Sequence, residues 1–267
     1  MKNVLVLLHD DPGQEARFQT ALDVARALDG HLTCIDVAVA PIFVGDYADM
    51  GGTALLMADE QQRESANRTR MEARLRVEDV PYTWRDARGF LGQCVRDAAV
   101  MTDLIVLNRE LDDILYPDML ELVGEVLIKT GKPILAVPAT AKRFDAFGSA
   151  LLAWDGSPQS EAALRAAIPL LQHSRMVTIL EIDDGSLKLP AMEAATYLSR
   201  HDIKSMIRRH SSLIDLPSTL ILATAAELGV AYVVMGGFGH SRFIEATFGG
   251  VTRRMLKESP VPIFLAH

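Results

Sequence analysis

Two pairs of glycines near the end of the chain have the type and spacing that suit anion binding. Gly236 and Gly239 follow the apolar run AYVVM, and after nine further residues Gly249 and Gly250 precede the basic segment VTRRMLKES. Glycine has no side chain, so backbone N–H groups there can approach a ligand closely. The first turn of a helix also presents unpaired N–H groups and about half a positive charge. The spacing therefore predicts a phosphate site.

Charged and hydroxyl-bearing side chains stand close to these glycines in the sequence, namely Arg242, Thr252, Arg253 and Arg254. Asp155 follows another apolar run, SALLAW, and its carboxylate could accept hydrogen bonds from an amino group or a sugar hydroxyl. Structural alternatives stay open at each position. Glycines after a strand also form simple turns, Asp155 could support a helix cap at Ser157, and the arginines could form a solvated helix face.

The sequence offers little else that could catalyse a reaction. It contains no GxxxxGK[ST] phosphate loop, no GxSxG nucleophile turn and no zinc-ligand spacing. The histidines are scattered, and we assign no general base and no metal ligand. We therefore expect no catalytic residue, and at most a slow ATPase activity.

Composition limits the partners and the compartment. The chain has 267 residues, 49% hydrophobic and 23% charged, with a formal net charge of −8. That charge argues against nucleic acid or an anionic membrane as the main partner. Cys34 and Cys94 make no disulfide framework, no apolar run approaches a membrane span, and the first apolar run is too short for a secretory signal. We expect a cytoplasmic protein.

The elements that must position these residues occur twice. VLVLLHDDPGQEARFQTALDVARAL near the start matches ALLAWDGSPQSEAALRAAIPLL in the middle, and three later apolar runs match in the same order. These runs hardly alternate, as is typical of strands buried on both faces of a parallel sheet. Helical segments separate them, with Asp11 and Ser157 as predicted N-caps. We predict two α/β domains of about five parallel strands each, at residues 1–141 and 147–267.

Ligands of open parallel sheets bind beyond the carboxyl ends of the strands, where the winding reverses. The predicted glycine loop follows a strand directly, so it lies at that end. Here the residues resemble a known family. The pattern Gly236-x-x-Gly239, nine residues and then Gly249, together with AWDGSPQSEAAL, is similar to the universal stress protein family, and the two copies resemble its tandem members.

The resemblance implies a Rossmann-like, doubly wound fold with strand order 3-2-1-4-5 in each domain. It also implies an adenine nucleotide, most often ATP, alone or with Mg²⁺, and a regulatory role in the stress response. By the same resemblance, Asp155 would approach adenine or ribose and the backbone of Ile182 would lie against adenine. The remaining implied binding residues are Met235, Gly236, Gly239, Gly249, Gly250 and Val251, around the phosphates.

Both copies depart from the family pattern. Gly250 stands where the family has Ser or Thr, and losing one hydrogen bond costs about 1 kcal/mol; Thr252 could substitute for it. In the first copy Asn108–Leu111 replace Gly236–Gly239, and His9 replaces Asp155. Glu121, which aligns with Gly250, would repel phosphate. We therefore expect the first half not to bind a nucleotide in this way.

A second interpretation is an interaction protein that needs no nucleotide. The last strand of each half, KPILAVP and VPIFLAH, could pair edge to edge. Such pairing would form either a homodimer or an intramolecular pseudo-dimer. The altered first half and Gly250 favour this alternative.

Overall fold

A computed structural model describes residues 1–39, 50–110, 118–183, 185, 187–211, 215–239 and 250–267, and for residues 39 and 50–61 only the backbone. In the described residues, strands and helices alternate within each half. The first half contains β1 Asn3–Leu7, α1 Gln14–Leu28, β2 His31–Val39, α2 Met50–Leu75, β3 Tyr82–Gly89, α3 Leu91–Ala98, β4 Leu104–Asn108, α4 Met119–Thr130 and β5 Ile134–Val137. The second contains β6 Ser149–Trp154, α5 Pro158–Leu171, β7 Met176–Asp183, α6 Ala191–Ser199, β8 Ser205–Ser211, α7 Pro217–Leu228, β9 Tyr232–Gly236, α8 Gly250–Glu258 and β10 Ile263–Ala266.

The ten strands form one sheet in the order β3-β2-β1-β4-β5-β10-β9-β6-β7-β8. Each half therefore has the order 3-2-1-4-5, which confirms the predicted fold. Strand pairs within each half are parallel, as in β1 with β4 and β6 with β9. The single junction between the halves, β5 with β10, is antiparallel and pairs Ala136 with Ile263. The domain limits 1–141 and 147–267 stay a prediction.

Apolar side chains cover both faces of the sheet, as the nearly continuous apolar strands predicted. One buried layer packs under α1, α2, α5 and α6, and the other under α3, α4, α7 and α8. The outermost strands differ, because β3 and β8 alternate between half-buried and exposed positions. Among the described residues no helix is long and apolar enough to cross a bilayer.

Two side chains reinforce the junction between the halves. Arg109, just after β4, donates hydrogen bonds to the carbonyl oxygens of Leu256, at 2.6 Å, and Lys257, near the end of α8. Phe238, just after β9, packs in return against Gly124 of α4, where an added Cβ would lie 3.1 Å from the ring. The segment after the fourth strand of each half thus contacts the other half.

Of the two predicted N-cap residues, Ser157 is confirmed and Asp11 is wrong. Ser157 is the N-cap of α5, accepting from the Ser160 N–H at 3.2 Å, and Pro158 begins the helix. The prediction for Asp11 is wrong, because α1 begins at Gln14 and its N-cap is Gly13. The Asp11 carboxylate instead pairs with the guanidinium of Arg17 at 2.8 Å.

Candidate functional site

The predicted nucleotide residues lie at one edge of the second half. Asp155 follows β6, Ile182 is near the end of β7, and Met235 with Gly236 ends β9. β6 lies between β7 and β9, so these three strand ends are neighbours. The predicted residues Gly250, Val251 and Thr252 begin α8, whereas Gly249 and Arg242 lie outside the described residues.

Gly236 has a packing role that requires glycine. An added Cβ would lie 2.7 Å from the backbone carbon of Gln159 and the backbone nitrogen of Ser160, at the start of α5. Contacts under about 3.0 Å are not found for real Cβ atoms, and here the neighbours are backbone. The end of β9 can therefore approach α5 only because position 236 lacks a side chain.

Gly239 and Gly250 have more room. A Cβ at Gly239 would meet only the flexible side chain of Gln159, at 3.1 Å or more, and Gly239 is exposed. No heavy atom of the described part of the chain lies within 4 Å of a Cβ built at Gly250, which is also exposed. The backbone at the start of α8 is thus accessible.

The Thr252 side chain faces the loop after β9. It is 5% exposed, and its hydroxyl oxygen accepts a hydrogen bond from the N–H of Phe238 at 3.3 Å. Phe238 has a left-handed backbone, with φ of 54°. The N–H of the preceding Gly237 donates to the carbonyl of Ala266 at 2.9 Å. These contacts hold the loop against α8 and β10.

Asp155 is exposed, and its carboxylate accepts a hydrogen bond from the Ser157 N–H at 2.9 Å. This is the supporting role at the α5 cap that the sequence left open beside ligand binding. One carboxylate oxygen can still accept from elsewhere, because an ionised carboxylate has about four acceptor positions. Asp155 therefore supports the start of α5 without losing its capacity for a ligand.

The residues around Leu189 pack over the end of β6. The Leu189 carbonyl accepts from the indole N–H of Trp154 at 2.8 Å, and the Lys188 N–H donates to the carbonyl of Asp155 at 2.9 Å. Gly156 has φ of 70°, and an added Cβ would lie 2.2 Å from the Leu189 nitrogen. Any ligand that reaches Asp155 must approach beside this segment.

The remaining predicted residues are less accessible. Ile182 is 7% exposed and Met235 is 4% exposed, so only their backbone atoms could serve a ligand at the strand ends. Val251 is half-buried. Of the predicted residues that the structure describes, Asp155, Gly239 and Gly250 are the exposed ones.

The two described arginines of α8 have different surroundings. Arg254 forms an ion pair with Glu258 at 3.0 Å and donates to the Thr219 hydroxyl at 2.6 Å. Arg253 is exposed and lines a cleft of about 420 Å³ between α8 and α4. Sequence analysis did not predict this cleft, whose remaining lining residues are Asp118, Leu120, Glu121, Gly124, Glu125, Ile128, Phe238 and Leu256.

The corresponding edge of the first half is filled by its own side chains. Asn108 occupies the position of Gly236, and its amide oxygen would lie 2.1 Å from a Cβ added to Gly13. Arg17 is fully buried and donates to Asn108 and to the carbonyl oxygens of Leu7 and His9. Asn108 and Arg17 therefore occupy the space beside β4, whereas beside β9 the backbone of α5 closes against Gly236.

Sequence analysis missed Arg17 as a structural residue. A signal was available, since Arg17 stands four residues before Ala21 on the helix face that buries Ala21, Val24 and Leu28. A lone arginine on a buried face needs internal acceptors. Asp11, Leu7 and His9 supply them.

Comparison with known proteins identifies the second half. The model of the universal stress protein family matches residues 147–267. This segment therefore belongs to the universal stress protein family, which confirms the resemblance for the half that carries the glycine loop. No curated protein sequence matches the chain.

Solved structures extend the likeness in fold to the whole chain. A universal stress protein from Archaeoglobus fulgidus is 15% identical, with a TM-score of 0.73, over 98% of this chain and 97% of that one. A Pseudomonas aeruginosa protein of unknown function is 16% identical, with a TM-score of 0.62, over 100% and 92%. A universal stress protein in complex with cAMP is 16% identical, with a TM-score of 0.36, over 46% and 99%.

Proposed function

We propose that the C-terminal half binds an adenine nucleotide, ATP or a relative, and that occupancy regulates association with another protein in a cytoplasmic stress response. The observation that carries the proposal is the accessible backbone at Gly250. Gly250 begins α8, whose Thr252 contacts the loop that carries the exposed Gly239, within a domain of the universal stress protein family. A helix N-terminus beside a glycine loop favours phosphate.

The described residues fit a nucleotide, except that Gly250 lacks the hydroxyl group of the family pattern. Backbone N–H groups of the first turn of α8 and the side chain of Arg253 would hold phosphate, and Asp155 would accept from adenine or ribose. The Thr252 hydroxyl is engaged with Phe238, so it would support the loop and replace the missing hydroxyl of Gly250 only indirectly. Affinity should therefore be lower than with serine at position 250, by about fivefold for one hydrogen bond of about 1 kcal/mol.

Isothermal titration calorimetry of the full chain with ATP, ADP, AMP and cAMP tests the proposal. We expect one nucleotide per chain for the wild type. Gly250→Asp should weaken binding at least tenfold, because its carboxylate would meet the phosphates, although an acidic residue suits the start of a helix. Val100→Asp, at a position that is 69% exposed in the first half, adds the same charge and should change nothing. Equal affinities for both variants would contradict the proposal.

A second candidate function is favoured by the junction of the halves. β5 and β10 pair within one chain, so the edges that could join two chains are already used by an intramolecular pseudo-dimer. Such a chain could act as an interaction module without a nucleotide. Mass spectrometry of small molecules released from the purified protein separates the two: ATP or AMP favours the first, and an empty protein that gives no calorimetric heat favours the second.

A further inference from the structure

The first half contains a group of buried metal-ligating side chains outside the nucleotide edge. His9 follows β1, Asp36 lies within β2, and Glu64 projects from α2. The Nδ1 atom of His9 lies 3.0 Å from Oε1 of Glu64 and 3.9 Å from Oδ1 of Asp36. One potential ligand atom from each residue lies within 4.8 Å of the others.

All three side chains are shielded from water. His9 is 5% exposed, Asp36 is 2% exposed, and the Glu64 side chain is 12% exposed. Buried carboxylates are stable only when they are paired, protonated or bound to a metal. Burial, and after it the neighbouring Glu64, raise the pKa of Asp36 to about 9.

Hydrogen bonds to neutral groups fix the orientation of the cluster. The Asn67 side chain, one turn after Glu64 on α2, donates to Oδ2 of Asp36 at 2.9 Å and to the Leu8 carbonyl at 2.7 Å. Its amide oxygen accepts from Gln14 at 2.8 Å. This arrangement is typical of the shell that orients metal ligands. Oδ1 of Asp36 accepts a hydrogen bond from the Val37 N–H at 2.9 Å and lies 3.9 Å from Nδ1 of His9.

In the second half, the acid at the position equivalent to Asp36 is neutralised by an arginine. Glu181 occupies the position of Asp36, and its partner on the neighbouring strand is Arg209, which donates to Glu181 at 2.8 Å. The partner of Asp36 at that position is Asp86, on β3. At this strand position the arginine of the second half is replaced by an acid in the first, and Asp86 itself pairs with Arg68 of α2.

We propose that His9, Asp36 and Glu64 bind a divalent transition-metal cation of the zinc class. One imidazole and two carboxylates supply three ligands to such an ion, with a fourth position for water or a bound group. Two carboxylates carry a charge of −2 when ionised, which one divalent cation balances. An imidazole ligand favours zinc over Mg²⁺ or Ca²⁺, which prefer oxygen ligands alone.

Titration of the full chain, stripped with a chelator, with Zn²⁺ in a calorimeter tests this site. We expect one Zn²⁺ per chain, with Asp36→Asn and Glu64→Gln each weakening the affinity at least tenfold. The matched control is Glu181→Gln, which alters the equivalent acid of the second half and should leave Zn²⁺ affinity unchanged. Circular dichroism verifies that each variant is folded, and Glu64→Gln, the less buried position, serves if Asp36→Asn does not fold.

Co²⁺ provides a readout of the ligands themselves. Binding to the wild type should produce visible absorption bands that Zn²⁺ abolishes and Mg²⁺ does not, and these bands should be missing in Glu64→Gln. No Zn²⁺ binding, or affinity that is the same in Asp36→Asn and Glu64→Gln as in the wild type, overturns the proposal. Competition by Mg²⁺ at equal concentration overturns the assignment to the zinc class.

Discussion

Asn108 and Gly236 occupy equivalent positions at the ends of β4 and β9. Asn108 faces a glycine, whereas Gly236 faces a residue that has a side chain. Asn108 fills the space next to Gly13, whereas Gly236 lets the chain approach Gln159. Gly13 and Gln159 are themselves equivalent in the repeat, each following a proline at the start of the first helix of its half, Gly13 as the N-cap of α1 and Gln159 within α5. At this contact between strand and helix, the first half has a side chain on the strand, Asn108, and a glycine at the helix. The second half has the glycine on the strand and a side chain, that of Gln159, on the helix.

Gly236→Ala should destabilise the protein by about 1–3 kcal/mol, because the new methyl group must displace the backbone of Gln159 and Ser160. Gly250→Ala is the matched control, since the described residues leave space there and alanine favours the helix. Urea unfolding followed by circular dichroism measures both. Equal midpoints for the two variants would mean that Gly236 is not tightly packed.

Arg17→Met should lower the free energy of unfolding by about 3–5 kcal/mol, because it leaves the buried Asp11 carboxylate without its cation. Arg165→Met is the control, since Arg165 is exposed on α5, where it pairs with Glu161 and lies over the Tyr197 ring, and its loss should cost far less stability. The same urea unfolding experiment measures the free energy of unfolding of both variants. A small loss for Arg17→Met would show that the Asp11 carboxylate is neutralised by other means.

The two halves should unfold together, because β5 pairs with β10 and Arg109 bonds across the junction to α8. The tryptophans allow a direct test, since Trp84 lies on β3 and Trp154 on β6. Trp84→Phe leaves fluorescence that reports only the second half, and Trp154→Phe leaves only the first. Coincident urea transitions are expected from both variants, each compared with its own circular dichroism curve; separate midpoints would show independent halves.

Cys34 should be chemically inert in the folded protein. Its side chain is fully buried, and burial raises the pKa of the thiol to about 12, so at pH 8 the thiolate is about one part in ten thousand. Burial also raises the pKa of Cys94, and the charge of Asp97 raises it by a smaller amount. Cys94 is 8% exposed, however, so it is more accessible than Cys34.

The Cys94→Ser variant isolates Cys34 for measurement with a chromogenic disulfide reagent. We expect no reaction at pH 8 until urea unfolds the chain, and a reaction rate that rises with pH as the thiolate fraction rises. Cys34→Ser should react earlier, through Cys94. Rapid native labelling of Cys94→Ser would contradict the buried position of Cys34.

The strands under the helices could be predicted from the sequence because burial on both faces leaves an apolar run. β4 and β10 are buried at every position, and both belong to runs identified from the repeat. β3 and β8 were not identified individually, because an outermost strand carries exposed charged residues such as Arg85 and Arg209. The strand order followed from the family resemblance rather than from residue patterns.

Clusters of side chains that are far apart in the sequence could not be predicted from it. His9, Asp36 and Glu64 are separated by 27 and 28 positions, and no short motif predicts that the fold brings them together. Asp11 was mistaken for a cap because capping is a local property, whereas its actual partner is the buried Arg17. Contacts of this kind depend on how a helix rotates against the sheet.

We propose that only the second half holds a nucleotide, and photolabelling with 8-azido-ATP tests this proposal. After irradiation and digestion, peptide mass spectrometry should locate the label within residues 147–267, and excess ATP should prevent it. Gly250→Asp should reduce the labelling, whereas Val100→Asp should not. Label in the first half that ATP displaces, or labelling that ATP does not affect, would contradict the account.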